Sequence, residues 1–485
     1  MLMEYSGPQV SAALLVALTL TLGACAAGPA TTSAPLQEPS KAPAPASVQV
    51  LLLSDIHFNP FDDKALVPKL LTSPAPDWRS IFEGSTSPAL GSFGRETSYP
   101  LWKSTLAAMA EAAPDPAAIL ISGDFLAHRF PQLFAHASSG QNQETFEGFV
   151  DKTVAFIAGE LRRTFPRAQI LPALGNNDSP CGNYKSQPRS PFLAHFASAF
   201  GSAVTPDGAT AELVKEFSEG GYYSVAMRFN TRARVIVLNS NFWSAGYENR
   251  CGASGNRAPG EAEMAWLEKQ LAGSSARGEH AWVLSHIPPG IDLFSTLQQN
   301  ANPCHGKYVH MLEESFNQRF LGLLDRFHAG VSLNITGHTH HHEIHVLGAS
   351  PERSIASLTV PAVSSGYKNN PSFVVAKVNP NRMVLEDFAV HALAHSVAGA
   401  TSPSPTWSKE YEFGRLYGQR DLSGPSALKL LAQLHDDPAL RQRYIDNFTS
   451  NSGVPNPVFQ DWKLYECSMN SLDVVHLEKC YCPGK

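Results

Sequence analysis

Short apolar runs alternate with segments of helical spacing along most of the chain. The runs are rich in β-branched and aliphatic residues and predict buried strands at 48–54, 117–123, 168–174, 233–240, 280–285, 331–337, 357–363 and 372–378. Between them, apolar side chains recur at helical spacing, as at Phe146, Phe149, Val150, Ile157 and Leu161, and at Met264, Leu267 and Leu271. Gly273 is the expected C-cap of the second of these helices. The alternation predicts an α/β architecture in which helices cover sheets.

The N-terminal apolar stretch, residues 12–22, is too short to span a membrane, which takes about 20 residues. It predicts the core of a signal peptide over residues 1–25, although no Lys or Arg precedes it as the usual signal pattern has. The LGAC sequence at 22–25 resembles the lipobox of bacterial lipoproteins, in which the cysteine is lipidated and becomes the first residue. Simple cleavage at this small-residue site is the alternative. Both predict an exported protein, periplasmic or at the cell surface, and the lipobox adds a lipid anchor at Cys25.

Shifts in composition divide the rest of the chain. Residues 26–46 are mostly Ala, Pro, Thr and Ser, and they predict a linker because they cannot bury enough surface to fold. The strand and helix patterns place the main domain at 47–400. A further Pro- and Ser-bearing stretch then opens a mainly helical C-terminal subdomain at 401–485.

Charge and composition limit the classes of protein to which this chain can belong. The chain has 37 Lys and Arg against 43 Asp and Glu, and its net charge of −6 disfavours a nucleic-acid duplex as a partner. Hydrophobic residues make up 43% of the chain, which is enough for a sizeable core and excludes a largely disordered protein. Nothing in the sequence indicates an oligomeric state.

The cysteines support export. Besides Cys25 there are six, at 181, 251, 304, 467, 480 and 482, and an even number in an exported chain predicts disulfides. We expect one bond within the C-terminal trio, between Cys467 and Cys480. A cysteine metal site is the alternative, although the sequence contains no CxxC pair.

Side chains that bind metals follow the predicted strands directly. They stand in Asp55-x-His57, Gly123-Asp124, the GNND sequence at 175–178, Ser285-His286 and the GHTH sequence at 337–340. Because sites in open α/β folds assemble beyond the carboxyl ends of the strands, these residues are expected to converge.

The succession D-x-H, G-D, G-N-N-D, S-H and G-H-T-H resembles the five-motif signature of calcineurin-like metallophosphoesterases. This resemblance implies a two-sheet β-sandwich flanked by helices and a centre of two divalent cations. Asp124 would bridge the cations, with Asp55, His57 and His340 completing one site and Asn176, His286 and His338 the other. A carboxylate between the cations offsets their repulsion, and the neutral Asn keeps the site net positive, which favours an anionic substrate.

Such cations lower the pKa of bound water from 15.7 to about 7 and thereby supply a nucleophile near neutral pH. We therefore expect hydrolysis of a phosphoric ester by metal-activated water, without a covalent enzyme intermediate. Zinc is the expected metal, and manganese, iron or cobalt also suit this ligand set. A serine nucleophile in a GxSxG motif is absent from the sequence.

Longer segments resemble a narrower group, acid sphingomyelinase and the sphingomyelinase-like phosphodiesterases. They are SDIHFNP at 54, GDFLAH at 123, PALGNND at 172, LNSNFW at 238, SHIPPG at 285, GHTHHHE at 337 and NPSF at 370. The resemblance implies a phosphodiesterase acting on phospholipid head groups or nucleotide derivatives. The GNND sequence also resembles endopolyphosphatases, so a polyphosphate- or phosphomonoester-cleaving enzyme is the second hypothesis. A surface lipoprotein that binds metal but has weakened catalysis is the third.

Two residues are candidates for catalysis. Asn177 stands where most members of the family have a His; its amide cannot act as a general acid, but it can hydrogen-bond a phosphate oxygen. His128 matches the His of the family's GD-x-x-x-H segment, and an unperturbed imidazole titrates near 6.5, which suits a proton donor to the leaving group.

Other polar residues have a structural interpretation beside the functional one. His341, His342 and His345 extend the GHTH run, and we expect them on the outgoing strand or loop, solvated or packed, rather than on another metal. Asn241 is either a substrate contact or a turn former. Asn369 and Asn370 match a family loop that lines the cleft, and a substrate contact and a structural role are equally expected for them.

Overall fold

The structure is a computed structural model that describes residues 47–86, 90–138, 140–205, 210–247, 256–299, 304, 308–348 and 350–482. Its strands are β1 (Val48–Leu53), β2 (Ala118–Ile121), β3 (Gln169–Pro172), β4 (Tyr223–Met227), β5 (Asn230–Val237), β6 (His280–Leu284), β7 (Val331–Thr336), β8 (Glu343–Leu347), β9 (Ile355–Thr359), β10 (Ser372–Asn379), β11 (Val384–Leu393), β12 (Ser396–Val397), β13 (Ala400–Thr401) and β14 (Trp407–Glu412). Its helices are α1 (Val67–Thr72), α2 (Trp78–Glu83), α3 (Tyr99–Ala112), α4 (Phe130–Ser138), α5 (Gln143–Thr164), α6 (Pro191–Val204), α7 (Thr210–Gly220), α8 (Ala258–Ala276), α9 (Leu293–Gln298), α10 (Glu314–Arg326), α11 (Phe413–Tyr417), α12 (Gly424–Asp436), α13 (Pro438–Phe448), α14 (Trp462–Ser468) and α15 (Val474–Tyr481).

Two six-stranded mixed sheets form the centre of the fold. The first has the order β14-β11-β10-β1-β2-β3, in which β1, β2 and β3 run parallel, and the second has the order β4-β5-β6-β7-β9-β8, in which β5, β6, β7 and β9 run parallel. Buried side chains of both sheets belong to one continuous core, as Leu51 and Ile119 of the first sheet and Trp282 and Ile335 of the second show. The predicted α/β fold of two sheets flanked by helices is therefore confirmed.

Each predicted apolar run overlaps a strand, although β5 and β9 begin before the runs at 233–240 and 357–363 and end within them, and several strands were not predicted. The missed strands are β4, β8, β11, β12, β13 and β14. Strand β14 shows why, because it lies at the edge of its sheet and only Tyr411 of its six residues is buried. Such a strand carries too few apolar residues to stand out in the sequence.

The prediction that Gly273 caps a helix is wrong. Helix α8 continues to Ala276, and the Gly273 carbonyl accepts a hydrogen bond of 3.1 Å from the Arg277 N–H group. The left-handed residue that follows the helix is Gly278, with φ of 62°. A glycine takes this conformation at little cost, and so the helix ends one turn later than expected.

The C-terminal part of the chain joins the first sheet and carries disulfides. Strand β14 pairs with β11, and helices α11 to α15 follow it. The predicted Cys467–Cys480 bond is confirmed, and a second bond joins Cys304 to Cys482. The domain boundary at residue 400 stays a prediction. The predicted signal peptide, linker and anchor at Cys25 lie outside the described residues, as does Cys251.

None of the helices within the described ranges is long and apolar enough to cross a membrane.

Candidate metal centre

Five loops meet at one end of the two sheets, where β1, β2, β3, β6 and β7 end. Backbone hydrogen bonds join neighbouring loops, from Asp55 N–H to the Gly123 carbonyl at 3.0 Å and from Gly337 N–H to the His286 carbonyl at 2.9 Å. The loops are those that hold the seven ligand candidates of the sequence. The structure thus brings together residues that are far apart in the chain.

The backbone of this region is unusual at the candidate ligands themselves. Asp55, His57, Asp124, His338 and His340 all have left-handed conformations, with φ of 48°, 44°, 57°, 75° and 66°. Residues other than glycine take this region at a cost of about 1–3 kcal/mol each, and such residues cluster at functional sites. The fold therefore holds these five side chains in directions that an unconstrained chain would avoid.

Two glycines allow the loops to approach one another. A Cβ atom on Gly175 would lie 2.1 Å from Asp124 Oδ1, and one on Gly337 would lie 2.0 Å from Ser54 Oγ. Any larger residue at either position would push a ligand loop away, and so the glycines of GNND and GHTH are required by packing.

Asp55, His57 and His340 form what we call the enclosed group, because all three are buried. His57 Nε2 lies 3.1 Å from His340 Nε2, and Asp55 Oδ1 lies 3.7 Å and 3.5 Å from these two nitrogens. His57 Nδ1 is fixed by the Leu126 carbonyl at 2.9 Å. Since a carbonyl only accepts, Nδ1 carries the proton and Nε2 turns toward the carboxylates.

Asn176, His286 and His338 form the open group, named for Asn176 and His338, which line a cleft. Asn176 Oδ1 lies 2.8 Å from His286 Nε2 and 2.7 Å from His338 Nδ1. Its amide nitrogen donates to Asn183 Oδ1 at 2.6 Å, which turns the carbonyl oxygen toward the two imidazoles. His286 Nδ1 donates to the Ser122 carbonyl at 2.7 Å.

Asp124 lies between the two groups. Its Oδ2 atom is 3.3 Å from His57 Nε2 of the enclosed group and 3.4 Å from His286 Nε2 of the open group. This is the position expected for a bridging carboxylate.

The buried carboxylates remain charged. Burial raises the pKa of Asp124, but the imidazoles of His286 and His57 outweigh burial and hold that pKa well below its usual range. The pKa of Asp55 is likewise lowered by His340 and His57 against the effect of burial. Burial lowers the pKa of His57, yet Asp124 and Asp55 raise it to about 10. Two such carboxylates in a buried space attract positive charge strongly.

The donor set fits divalent cations. Asp55 Oδ1 is buried and has no hydrogen-bond partner among the described residues. His57 Nε2 faces His340 Nε2, and His286 Nε2 faces Asn176 Oδ1; each carries a lone pair when only the Nδ1 atom of its ring is protonated. Imidazole, carboxylate and amide ligands that converge in this way suit zinc, manganese, iron or cobalt.

Asp178 has a role that sequence reasoning missed. Its carboxylate accepts hydrogen bonds from the N–H groups of Asp124 at 2.9 Å, Phe125 at 2.8 Å, Leu126 at 3.2 Å and Gly175 at 2.8 Å. Burial and the charge of Asp124 raise its pKa to about 6. It fixes the loops after β2 and β3 to each other, and its only sequence signal was its place at the end of GNND.

The two catalytic candidates occupy different environments. The His128 ring stacks on His57 with 3.9 Å between ring centroids, lines the cleft, and has Nδ1 3.0 Å from Glu96 Oε1. Asn177 is buried, and both its backbone N–H and its side-chain amide donate to Asp124 at 2.8 Å. His128 can also be grouped with His57 and His340 as a metal ligand by distance alone.

The remaining histidines of the GHTH run have partners outside the two groups, although His341 and His345 line the same cleft as Asn176 and His338. His341 stacks on Phe448, and His342 Nδ1 lies 2.8 Å from the Tyr411 hydroxyl. His345 lies in β8 and contacts Glu343 at 3.3 Å.

The asparagines outside the centre hold loops. Asn241 donates to the Gly175 carbonyl at 2.9 Å, and Asn369 and Asn370 donate at 2.9 Å to the carbonyls of Ser364 and Ser450. All three asparagines are buried. Tyr367, which is 47% exposed, lines the cleft in their place, with its ring 4.4 Å from that of His340.

A cleft of about 270 Å³ opens from the centre. On one side it is lined by Asp124, His128, Asn176 and His338, and its other walls come from the segments 183–184, 289–295 and 339–345, from Met311 and Tyr367, and from the C-terminal part of the chain. The second set of walls includes apolar side chains, namely Ile291, Leu293, Phe294, Phe448, Val458 and Leu472. The cleft therefore offers both a polar, metal-capable end and an apolar surface.

Comparison with known proteins gives consistent results. A family model described as calcineurin-like phosphoesterase matches residues 48–342, which include all seven candidate ligands. The acid sphingomyelinase-like phosphodiesterase 3b of Mus musculus is 26% identical over 368 residues, covering 73% of this chain and 73% of the relative. The protein of the same name from Homo sapiens is 23% identical over 454 residues, covering 89% and 90%. The cyclic GMP-AMP phosphodiesterase SMPDL3A of Rattus norvegicus is 25% identical over 347 residues, covering 70% and 73%.

Proposed function

Since the chain belongs to the calcineurin-like phosphoesterase family, whose members are hydrolases of phosphoric esters, we propose that it is an exported, sphingomyelinase-like phosphodiesterase with two divalent cations. The observation that carries the proposal is the position of Asp124 Oδ2, within 3.4 Å of a ligand nitrogen from each group. A single carboxylate shared in this way is what a pair of cations about 3.5–4 Å apart requires.

Each group would hold one cation together with Asp124. When bound, the cations supply a water molecule acidic enough to act as nucleophile near neutral pH, and they offset the charge of the phosphate. The enclosed group would hold its cation by Asp55, His57 and His340, and the open group by Asn176, His286 and His338. We propose zinc as the metal, with manganese, iron or cobalt as alternatives.

His128 is the proposed proton donor to the leaving oxygen. It lines the cleft beside the enclosed group, and its contact with Glu96 fixes the orientation of the ring. Asn177 holds the Asp124 carboxylate by two hydrogen bonds. A contact of Asn177 with a phosphate oxygen stays a prediction.

The lining of the cleft favours a phosphodiester with an organic substituent as the substrate. Side chains such as Leu293, Phe294 and Val458 would pack against a nucleoside or an acyl-bearing alcohol, and they offer nothing to a chain of phosphates. The relatives are also named as phosphodiesterases. We therefore place a phospholipid head group or nucleotide derivative ahead of polyphosphate or a phosphomonoester.

Export is proposed from two features. The bonds Cys467–Cys480 and Cys304–Cys482 suit an oxidising compartment. The lipobox-like sequence that ends at Cys25 adds a proposed lipid anchor.

The experiment that tests the proposal is a substrate panel with the purified protein, freed of metal and then reloaded with Zn²⁺ or Mn²⁺. We expect metal-dependent hydrolysis of bis(p-nitrophenyl) phosphate, and hydrolysis of sphingomyelin or nucleotide diesters in preference to polyphosphate. Faster cleavage of polyphosphate would favour the second hypothesis. Two bound cations per chain without turnover of any substrate would favour the weakened metal-binding lipoprotein.

A further inference from the structure

The C-terminal part of the chain contacts the residues that directly follow the GHTH loop. The His342 N–H group donates to the Phe448 carbonyl at 3.0 Å, and the Val346 N–H group donates to the Met469 carbonyl at 2.8 Å. The His341 ring stacks on Phe448 with 4.3 Å between centroids. The loop that carries two candidate ligands is thus attached to a remote part of the sequence.

Glu343 lies at the centre of this attachment. Its Oε1 atom accepts a hydrogen bond of 2.7 Å from Thr339 Oγ1, and its Oε2 atom accepts one of 3.2 Å from the Tyr465 hydroxyl. The side chain is buried. Burial raises the pKa of Glu343, but His345 and Thr339 outweigh it and lower that pKa below its usual value, so that both oxygens act as acceptors.

Thr339 is the residue between the two candidate ligands of the loop. His338 belongs to the open group and His340 to the enclosed group, and both have left-handed backbones, with φ of 75° and 66°. A loop with two strained residues keeps its shape only when its surroundings fix it. The Thr339 hydroxyl is the point at which Glu343 does so.

We propose that Glu343 and Tyr465 are positioning residues for the metal centre, which hold Thr339 and thereby aim His338 and His340 at their cations. The inference depends on the proposed metal centre but not on any substrate. Residues that orient metal ligands from outside typically change metal affinity by about 10–100-fold when they are replaced. A residue that merely packed the C-terminal part against the sheet would change stability and leave metal affinity unaltered.

The test uses four variants of the full chain and measures Zn²⁺ and Mn²⁺ affinity by competition with a chelator. Thr339→Val removes the hydroxyl at constant shape, Glu343→Gln removes one acceptor, and Tyr465→Phe removes the second donor. We expect Thr339→Val and Glu343→Gln to weaken binding of both cations by about 10-fold or more, and Tyr465→Phe to have a smaller effect in the same direction. Thr339→Ser keeps the hydroxyl and is expected to bind as the unaltered protein does.

Tyr411→Phe is the matched control. It removes a buried hydroxyl that contacts His342 Nδ1 at 2.8 Å, next to the loop but not through Glu343. Melting temperatures in excess chelator measure the structural cost of each variant separately from metal binding. Metal affinities for Thr339→Val and Glu343→Gln no lower than that of Tyr411→Phe would overturn the inference. If Glu343→Gln does not fold, the difference in metal affinity between Thr339→Val and Thr339→Ser tests the inference. Failure of the unaltered protein to bind metal would instead refute the proposed function.

Discussion

The enclosed and open groups use similar side chains in different surroundings. Asp55, His57 and His340 are buried, and the described residues that line the cleft include none of them. Asn176 and His338 reach the cleft, and His338 is only partly buried. A substrate phosphate can therefore approach the open group directly, whereas it meets His128 and Tyr367 in front of the enclosed group.

The two groups also differ in how their imidazoles are held. His57 is oriented by the Leu126 carbonyl, and His286 by the Ser122 carbonyl, both of which belong to the backbone. His338 instead has its Nε2 atom 3.2 Å from the hydroxyl of Tyr184, a half-buried side chain. Each group thus has one imidazole held by a backbone carbonyl, but the second imidazoles differ: His338 has a side-chain partner, whereas His340 Nδ1 has no hydrogen-bond partner among the described residues.

The largest effect is expected from Asp124→Asn, which removes the charge shared by both groups. Both cations should bind poorly, and turnover of bis(p-nitrophenyl) phosphate should fall by more than the roughly 1,000-fold that loss of one charge-stabilising donor costs. Metal content per chain, measured by mass spectrometry, checks the cause. Glu160→Gln, which alters a buried carboxylate paired with Arg79, is the control and should keep both cations. Retention of one cation in Asp124→Asn would contradict a shared carboxylate.

His128→Ala is expected to have the next largest effect, and it depends on the leaving group. Turnover of an alkyl phosphodiester should fall by about 100-fold or more, because an alkoxide needs a proton as it leaves. An activated aryl ester, whose leaving group needs no proton, should be affected little. Equal rates for His128→Ala and the unaltered protein on both esters would remove His128 from its proposed role. Loss of a cation would instead assign it to the enclosed group as a ligand.

Replacing one histidine of each group compares the groups directly. His57→Ala and His338→Ala should each lose one cation. Only His57→Ala should also lower the free energy of unfolding in excess chelator, by about 1–3 kcal/mol, because the buried Leu126 carbonyl loses its donor. Denaturant titration of both variants measures this difference. Equal losses of stability would show that the two groups are equally embedded in the fold.

The smallest effect is expected from Tyr184→Phe, which frees His338 from its side-chain partner. The cation of the open group should bind about 10-fold more weakly, and the cation of the enclosed group should be unaffected. A two-step metal titration distinguishes them. Tyr222→Phe serves as the control, because Tyr222 is also half-buried and its ring packs at a tilt against Trp266, with 4.8 Å between centroids. Equal weakening of both cations would contradict the separate support of the two groups.

The strand ends were predictable from the sequence, and with them the ligand candidates. Each candidate follows an apolar run directly, as Asp55 follows β1 and His286 follows β6, so that the strand pattern alone places them at one edge. The GHTHHH run shows the limit of this reasoning. His338 and His340 face the centre while His341 and His342 pack elsewhere, because the left-handed backbone at the first two turns their side chains inward.

The partners of the ligands were not predictable. Asp178 accepts hydrogen bonds from four backbone N–H groups, and Tyr184 contacts His338. The Tyr465 hydroxyl donates to Glu343, which lies more than a hundred positions earlier in the sequence. These contacts depend on loop conformations, which no periodic pattern encodes. Edge strands such as β14 could not be predicted for a related reason, since most of their residues are not buried.

The wide spacing of the ligands also sets a condition on biosynthesis. Asp55 leaves the ribosome long before His340, and Tyr465 emerges later still, so a nascent chain carries isolated carboxylates and imidazoles for most of its synthesis. A single carboxylate or imidazole binds a cation only weakly. The proposed metal centre can therefore be completed only after residue 340 has been synthesised, and a chain that stops before this residue lacks a proposed ligand of the enclosed group.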